Sequence, residues 1–194
     1  MPEPEQKSEF DVSALFAALD AQREERGLSW SGVAREIWEL SAELNGRRRD
    51  HPISPATLTG MAERGGVSCQ HALFMLRWLG RSPESFLRGA TTVAPGALPA
   101  AGPDQRLRWN LHVTPRRRWP GLYEAMDERR RSEGLTWPEL ARRLDCSPNQ
   151  LSGLRTARFA TSMTLAMRIT QWLRRPAADF IYAAGWEHPA PANR

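Results

Sequence analysis

Apolar residues recur at helical spacing along most of the chain, in short runs punctuated by Gly, Pro and Ser-Pro pairs. Leu15 and Leu19 stand at i, i+4 between Asp11 and Glu25, and Gly27 follows, which predicts a helix with a glycine stop. Ser29 opens a second helix whose apolar face is Val33, Ile37, Leu40 and Leu44, with Asn45-Gly46 as its end and a basic loop, Arg47 to Pro52, beyond it. Ser54-Pro55 starts a third helix, ended by Gly65-Gly66. Ser68 opens a fourth, carrying Leu73, Leu76 and Leu79, and Ser82-Pro83 a short fifth that packs Phe86 and Leu87. The pattern then restarts. A helix is predicted from about Pro120 to Glu133, with Leu122 and Met126 inward and Gly134 as its stop. Thr136-Trp-Pro-Glu139 and Ser147-Pro-Asn-Gln150 are capping-box patterns for the next two. Leu165, Ile169, Trp172 and Leu173 stripe a fourth helix, and Pro176 opens a fifth with Phe180 and Ile181. No strand-like alternation of useful length stands out, so the chain reads as all-α.

The restart is an internal duplication. Leu28-Ser-Trp-Ser-Gly-Val-Ala-Arg35 returns as Leu135-Thr-Trp-Pro-Glu-Leu-Ala-Arg142, and Ser54-Pro-Ala-Thr-Leu-Thr-Gly60 as Ser147-Pro-Asn-Gln-Leu-Ser-Gly153. Arg77-Trp-Leu79 matches Gln171-Trp-Leu173. The spacing from Ala34-Arg35 to Ser54-Pro55 is 14 residues longer than its counterpart in the second copy, so the first carries an Arg-rich insertion between its second and third helices. The expected organisation is a disordered tail over 1–10, a first domain over 11–89, a linker or arm over 90–115 and a second domain over 116–188. Within that middle stretch, 90–105 is evident linker, rich in Ala, Pro and Gly. Residues 106–119 read either as an ordered arm or as more linker.

Composition narrows the classes. The net charge of +5 is uneven: residues 1–104 hold 11 Lys/Arg against 14 Asp/Glu, and residues 105–194 hold 16 against 8. A basic second half suits a polyanion, although a solvated basic surface accounts for the same balance. No run approaches the length of a membrane span, and Met-Pro-Glu-Pro-Glu lacks the basic and apolar regions of a signal peptide. A cytoplasmic, nucleoid-associated protein without membrane contact is therefore expected. Cys69 and Cys146 occupy non-equivalent places without metal-ligand spacing, and His51, His71, His112 and His188 are scattered. With no nucleophile–base set and no Gly-rich phosphate loop discernible, the reading is of a protein that is not an enzyme, with no metal, cofactor or small-molecule ligand.

The second copy resembles the Cro/phage-repressor type of helix-turn-helix, the xenobiotic-response-element-like family. The matching residues are Gly134-Leu-Thr-Trp-Pro-Glu-Leu-Ala-Arg-Arg-Leu144 and Cys146-Ser-Pro-Asn-Gln-Leu-Ser-Gly-Leu154. The likeness covers most of 120–183, departs at Asp145 where the family favours Gly, and is looser in the first copy because of the insertion. It implies two tandem helix-turn-helix domains of about five helices each and a sequence-specific regulator, in the simplest case a bacterial or phage-type repressor, whose partner is double-stranded DNA.

In such a protein the start of the third helix meets base edges. That gives Asn149, Gln150, Ser152 and Gly153 as base readers in the second copy, Asn149 foremost because an amide can pair with adenine N6 and N7. Gln150 is divided between reading and its capping box. The first copy offers Ala56, Thr57 and Thr59. Phosphate contacts fall to Arg155, Thr156 and Arg158, to Trp137 and Trp30 at equivalent helix starts, and to Arg64, Arg47, Arg48, Arg49, Arg116, Arg117 and Arg118. Each has a bland alternative: core tryptophans, solvated arginines, and, for Gly60 and Gly153, close helix packing. A 16-residue linker reaches at most about 50–58 Å, which covers half-sites about 34–36 Å apart, so the two copies can act as a pseudo-dimer on a non-palindromic site. Two rival readings stand beside this one: a helix-turn-helix module for protein contacts, as adaptor, antitoxin-like partner or homodimer, and a nonspecific architectural DNA binder.

Overall fold

The computed structural model describes residues 8–89, 91, 93–111, 121–156 and 160–186, with side-chain detail lacking at Thr156. Among these residues the chain is mostly helical, with two small antiparallel ribbons. In the first repeat, strand β1 (Glu9–Phe10) leads into α1 (Val12–Glu25), α2 (Trp30–Glu39), α3 (Ala42–Arg48), α4 (Pro55–Arg64) and α5 (Cys69–Leu79). A 3-10 turn (Pro83–Phe86) and β2 (Leu87–Arg88) close it. In the second, β3 (Arg106–Trp109) precedes α6 (Leu122–Ser132), α7 (Trp137–Arg143), α8 (Pro148–Thr156) and α9 (Met163–Leu173). A second 3-10 turn (Ala177–Phe180) and β4 (Ile181–Ala184) follow. Each repeat is thus helices closed by pairing its first strand with its last: β1 with β2, and β3 with β4.

Four sequence expectations are corrected. The all-α reading gives way to a mostly helical fold with ribbons, and the two short fifth helices are single 3-10 turns that run into strands. Residues 8–10 do not belong to a tail: Phe10 is buried and pairs with Leu87. The second repeat begins at Arg106 rather than 116, with Leu107 and Trp109 inward. Finally, the long second helix is two helices, and Asn45-Gly46 lies inside the second of them. The stop is Arg49, in the left-handed region at φ 52°.

The helix starts follow local chemistry. Asp11, Ser29, Ser54, Ser68, Thr136 and Ser162 each accept a backbone N–H of their own first turn, filling donors that a helix leaves unpaired. The stops at Gly27 and Gly134 have φ of 62° and 66°, which glycine adopts without steric cost.

The repeats share one continuous core, formed by residues of every helix but α3. The two halves are related by an approximate twofold axis. Ser68 and Ser162, equivalent N-caps, form an antiparallel bridge. The Cys69 N–H donates to Thr161 O at 2.9 Å, and the Met163 N–H donates to Val67 O, also at 2.9 Å. Equivalent residues pairing reciprocally is the signature of an isologous contact. The same symmetry packs α5 on β3 and α9 on β1.

The linker is docked rather than free. Gly96 lies so close to the second repeat that a Cβ there would meet Ala178 at 2.8 Å. Farther on, the carbonyl of Pro103 accepts the N–H groups of Glu43 and Leu44 at the start of α3. Arg77 donates to the carbonyls of Leu40 and Ala101 at 2.7 Å and of Gln105 at 3.2 Å, and to Ser41 Oγ at 2.8 Å. Arg106 donates to Asn45 Oδ1 and pairs with Asp50. The insertion thereby becomes the cradle for the chain segment that joins the repeats. Among the described residues no helix is long and apolar enough to cross a membrane.

Candidate nucleic-acid interface

α7 and α8 are two consecutive helices joined by a tight turn through Leu144-Asp145-Cys146-Ser147. Asp145 turns the chain at φ 51°, a left-handed conformation that Asp tolerates better than most residues. Arg168 of α9 fixes the turn: it donates to Asp145 O at 2.6 Å and pairs with the Asp145 carboxylate and with Glu9, both at 3.3 Å. Glu9 belongs to the first repeat, so the turn between α7 and α8 is braced from the other repeat. Cys146 packs half-buried against the core where the first repeat buries Ile53. Burial raises its thiol pKa to about 11 and that of Cys69 higher still, so both sulfurs stay protonated at neutral pH.

α8 buries Leu151 and Leu154 and turns Asn149, Gln150 and Ser152 outward, with Gly153 partly exposed. Gln150 Oε1 accepts the Ser147 N–H at 2.8 Å, and Ser147 Oγ accepts the Gln150 N–H at 3.3 Å. The capping box is therefore formed, and it commits the acceptor half of the Gln150 amide. Asn149 carries no such duty. Asn149, Gln150, Gly153, Leu154, Thr161 and Leu165 line a cleft of about 260 Å³ beside α8. Arg155 is exposed at the end of α8. Arg116, Arg117, Arg118, Arg158 and the Thr156 side chain lie outside the described residues.

In the first repeat α4 packs on α2 as α8 packs on α7, although the insertion with α3 separates them in sequence. Ala56 and Thr59 are exposed and Thr57 partly so. Both hydroxyls are engaged: Thr57 Oγ1 lies 2.9 Å from Ser54 Oγ, and Thr59 Oγ1 donates to Pro55 O at 3.2 Å. Their methyl groups remain as the outward chemistry. Arg47 and Arg48 sit on α3 rather than in a loop, and Arg49 caps that helix. Arg48 lies 3.9 Å from Asp50 and 5.9 Å from the ring of Trp186, which ties the insertion to the end of the second repeat. Arg64 folds back along α4 instead of projecting from its end.

Trp30 and Trp137 are half-buried partners in a duplicated assembly. Trp30 stacks on Phe16 at 5.4 Å with Arg23 over its ring; Trp137 stacks on Tyr123 at 5.7 Å with Arg130 over its ring. Arg23 pairs with Asp20 and donates to Leu28 O, as Arg130 does with Asp127 and Leu135 O. Sequence reasoning passed over these arginines, yet the signal was present: Asp, Arg and Trp recur at identical spacing, Asp20-Arg23-Trp30 and Asp127-Arg130-Trp137. Arg77, Arg106 and Arg168 carry no comparable signal, because their partners lie far away along the chain.

Among the described residues no three His, Cys, Asp or Glu side chains gather as a metal site. Comparison of the chain with protein-family models, with curated proteins and with solved structures found no match.

Proposed function

We propose that the chain is a sequence-specific double-stranded DNA-binding transcription regulator, acting as a repressor by occupying its site. Such a protein works in the cytoplasm on the nucleoid. The observation that carries the reading is the outward edge of α8. Three consecutive exposed residues, Pro148, Asn149 and Gln150, open a helix whose inner face is locked by Leu151 and Leu154. The reading helix of this motif meets base edges with its first turn, and the exposed amide of Asn149, which no hydrogen bond among the described residues engages, can pair with adenine.

The approximate twofold axis supports the same reading. Arg64, at the end of α4, lies four residues before Ser68, and Thr156, at the end of α8, six before Ser162. At about 3.6 Å per residue those tethers reach at most about 14 Å and about 22 Å, so both reading helices end near the axis. These bounds apply to the C-terminal ends of α4 and α8, and the first turns that would meet bases lie at the opposite ends of both helices. The two helices differ outward at Ala56 against Asn149, Thr57 against Gln150 and Thr59 against Ser152, which fits a site with two unlike halves.

The test is selection of random-sequence duplex DNA by purified protein at near-physiological salt. A bipartite enriched motif is the expected outcome. Absence of enrichment, in protein shown by circular dichroism to be folded and helical, would sink the proposal and favour a protein-contact module instead. Enrichment-free binding with a steep salt dependence would indicate an architectural binder.

A further inference from the structure

We propose that Arg64 is the base-reading residue of the first repeat and that it selects a guanine in that half-site; the proposal rests on the DNA-binding reading above. By sequence Arg64 stands at the C-terminal end of α4, a place suited to phosphate. Its side chain instead runs back along the helix, in the direction helical side chains lean. Nη2 lies 3.4 Å from the Thr57 carbonyl, and the guanidinium lies over Gly60. A Cβ at position 60 would stand 3.1 Å from Arg64 Cζ, 3.2 Å from Nη2 and closer still to Nη1. The three atoms nearest that point all belong to Arg64. Gly60 therefore makes room for this side chain rather than for a neighbouring helix, at a helix-propensity cost of roughly 1 kcal/mol against Ala.

The position of the guanidinium is what matters. Thr57 and Gly60 of α4 correspond to Gln150 and Gly153 of α8, which border the 260 Å³ cleft on the reading face. The first repeat thus carries a guanidinium on the side where the second carries an amide and open space. On the outward side of α4 Arg64 is the long donor among the described residues, since the hydroxyls of Thr57 and Thr59 are engaged. Among the described residues no carboxylate lies within ion-pair distance of Arg64, and a 3.4 Å contact to Thr57 is readily exchanged. A guanidinium presented in this way pairs with guanine O6 and N7 through two parallel donors.

The experiment replaces each base pair of the first half-site in turn, within the selected duplex, and measures binding of wild type, Arg64→Ala, Arg64→Lys and Gly60→Ala. Wild type should prefer guanine at one position by about 5- to 150-fold. Arg64→Ala and Arg64→Lys should lose that preference and keep those of the second half-site. Gly60→Ala should lose it as well, because the added methyl displaces the guanidinium, while thermal unfolding stays level or rises. That variant separates reading from folding. The proposal is overturned if Arg64→Ala weakens all sequences alike and lowers the salt slope by about one, the mark of a phosphate contact. It is equally overturned if Gly60→Ala keeps the wild-type preference, or if the selected motif comprises only the half-site read by the second repeat. No enriched motif at all would remove the DNA-binding reading itself, and this proposal with it.

Discussion

Asn149 and Gln150 are adjacent and both exposed, but their environments assign them different work. Asn149→Ala is expected to cost about 1–3 kcal/mol on the preferred duplex and little on random DNA, measured by paired titrations. Gln150→Ala removes half of a capping box and should lower folding stability by about 1 kcal/mol. Gln150→Glu keeps the carbonyl-type oxygen that accepts the Ser147 N–H, so it should leave the urea midpoint nearly unchanged while weakening binding to every duplex through charge repulsion. His71 gives a pH dependence of stability. Burial first, and the charge of Arg64 second, hold its pKa below the ordinary 6.5. The unfolded chain then takes up the proton more readily than the folded one, so stability is fully present above about pH 7. It falls as the pH drops through 6.5 toward the lowered folded value. His71→Gln should flatten that decline in urea titrations between pH 7 and pH 5, and an unchanged slope would place the effect elsewhere.

The same end is made differently in equivalent helices. α5 ends on Gly80 at φ 63°, whereas α9 ends on Arg174 at φ 56°. A left-handed conformation costs a non-glycine residue about 1–2 kcal/mol, and the Arg174 side chain is exposed. Arg174→Gly should therefore raise stability by about 1 kcal/mol, read as a higher urea midpoint at constant slope. The insertion shows the limit of periodicity. Val33, Ile37, Leu40 and Leu44 keep helical phase through the break between α2 and α3, so hydrophobic spacing alone runs the two together. The break serves distant groups: Ser41 Oγ donates to Gln105 O at 2.5 Å and accepts from Arg77. The ribbons were hidden for a related reason. Arg106-Leu-Arg-Trp109 does alternate, but over four residues, and its partner β4 begins at Ile181.

Over the whole molecule the duplication has become an internal dimer. The bridge at Ser68 and Ser162 and the crossed packing of α5 on β3 and α9 on β1 are symmetric. The docking of the linker on α3 is not, since only the first repeat carries that helix. Arg106, whose side chain is 12% exposed, holds this dock through Asn45, itself 1% exposed, and Asp50. Hydrogen bonds to charged groups contribute about 1.5–3 kcal/mol each, and a buried acceptor left without a donor adds to the loss. Arg106→Ala should accordingly lower unfolding free energy by about 2–3 kcal/mol and speed amide exchange at Glu43 and Leu44, whose N–H groups meet Pro103 O. Unchanged exchange there would mean the linker holds without the arginine.

By itself the sequence determined most of the helix starts and the inward faces, which depend on neighbours in the chain. It set the caps at Ser29, Ser54, Ser68 and Ser147, the stops at Gly27 and Gly134, the inward Leu140, Leu151 and Leu154, and the duplication that repeats them. These are local because capping and amphipathic phase act within a turn or two of helix. Only the tertiary structure decided what required residues far apart to meet. It turned the chain ends of each repeat into ribbons and the Arg-rich insertion into a dock for the linker. It also joined two helical units into one core about a twofold axis, and it laid Arg64 back across Gly60 rather than out beyond the end of α4. Such contacts leave no period in the sequence, because each is fixed by packing of the finished fold and not by the order of its neighbours.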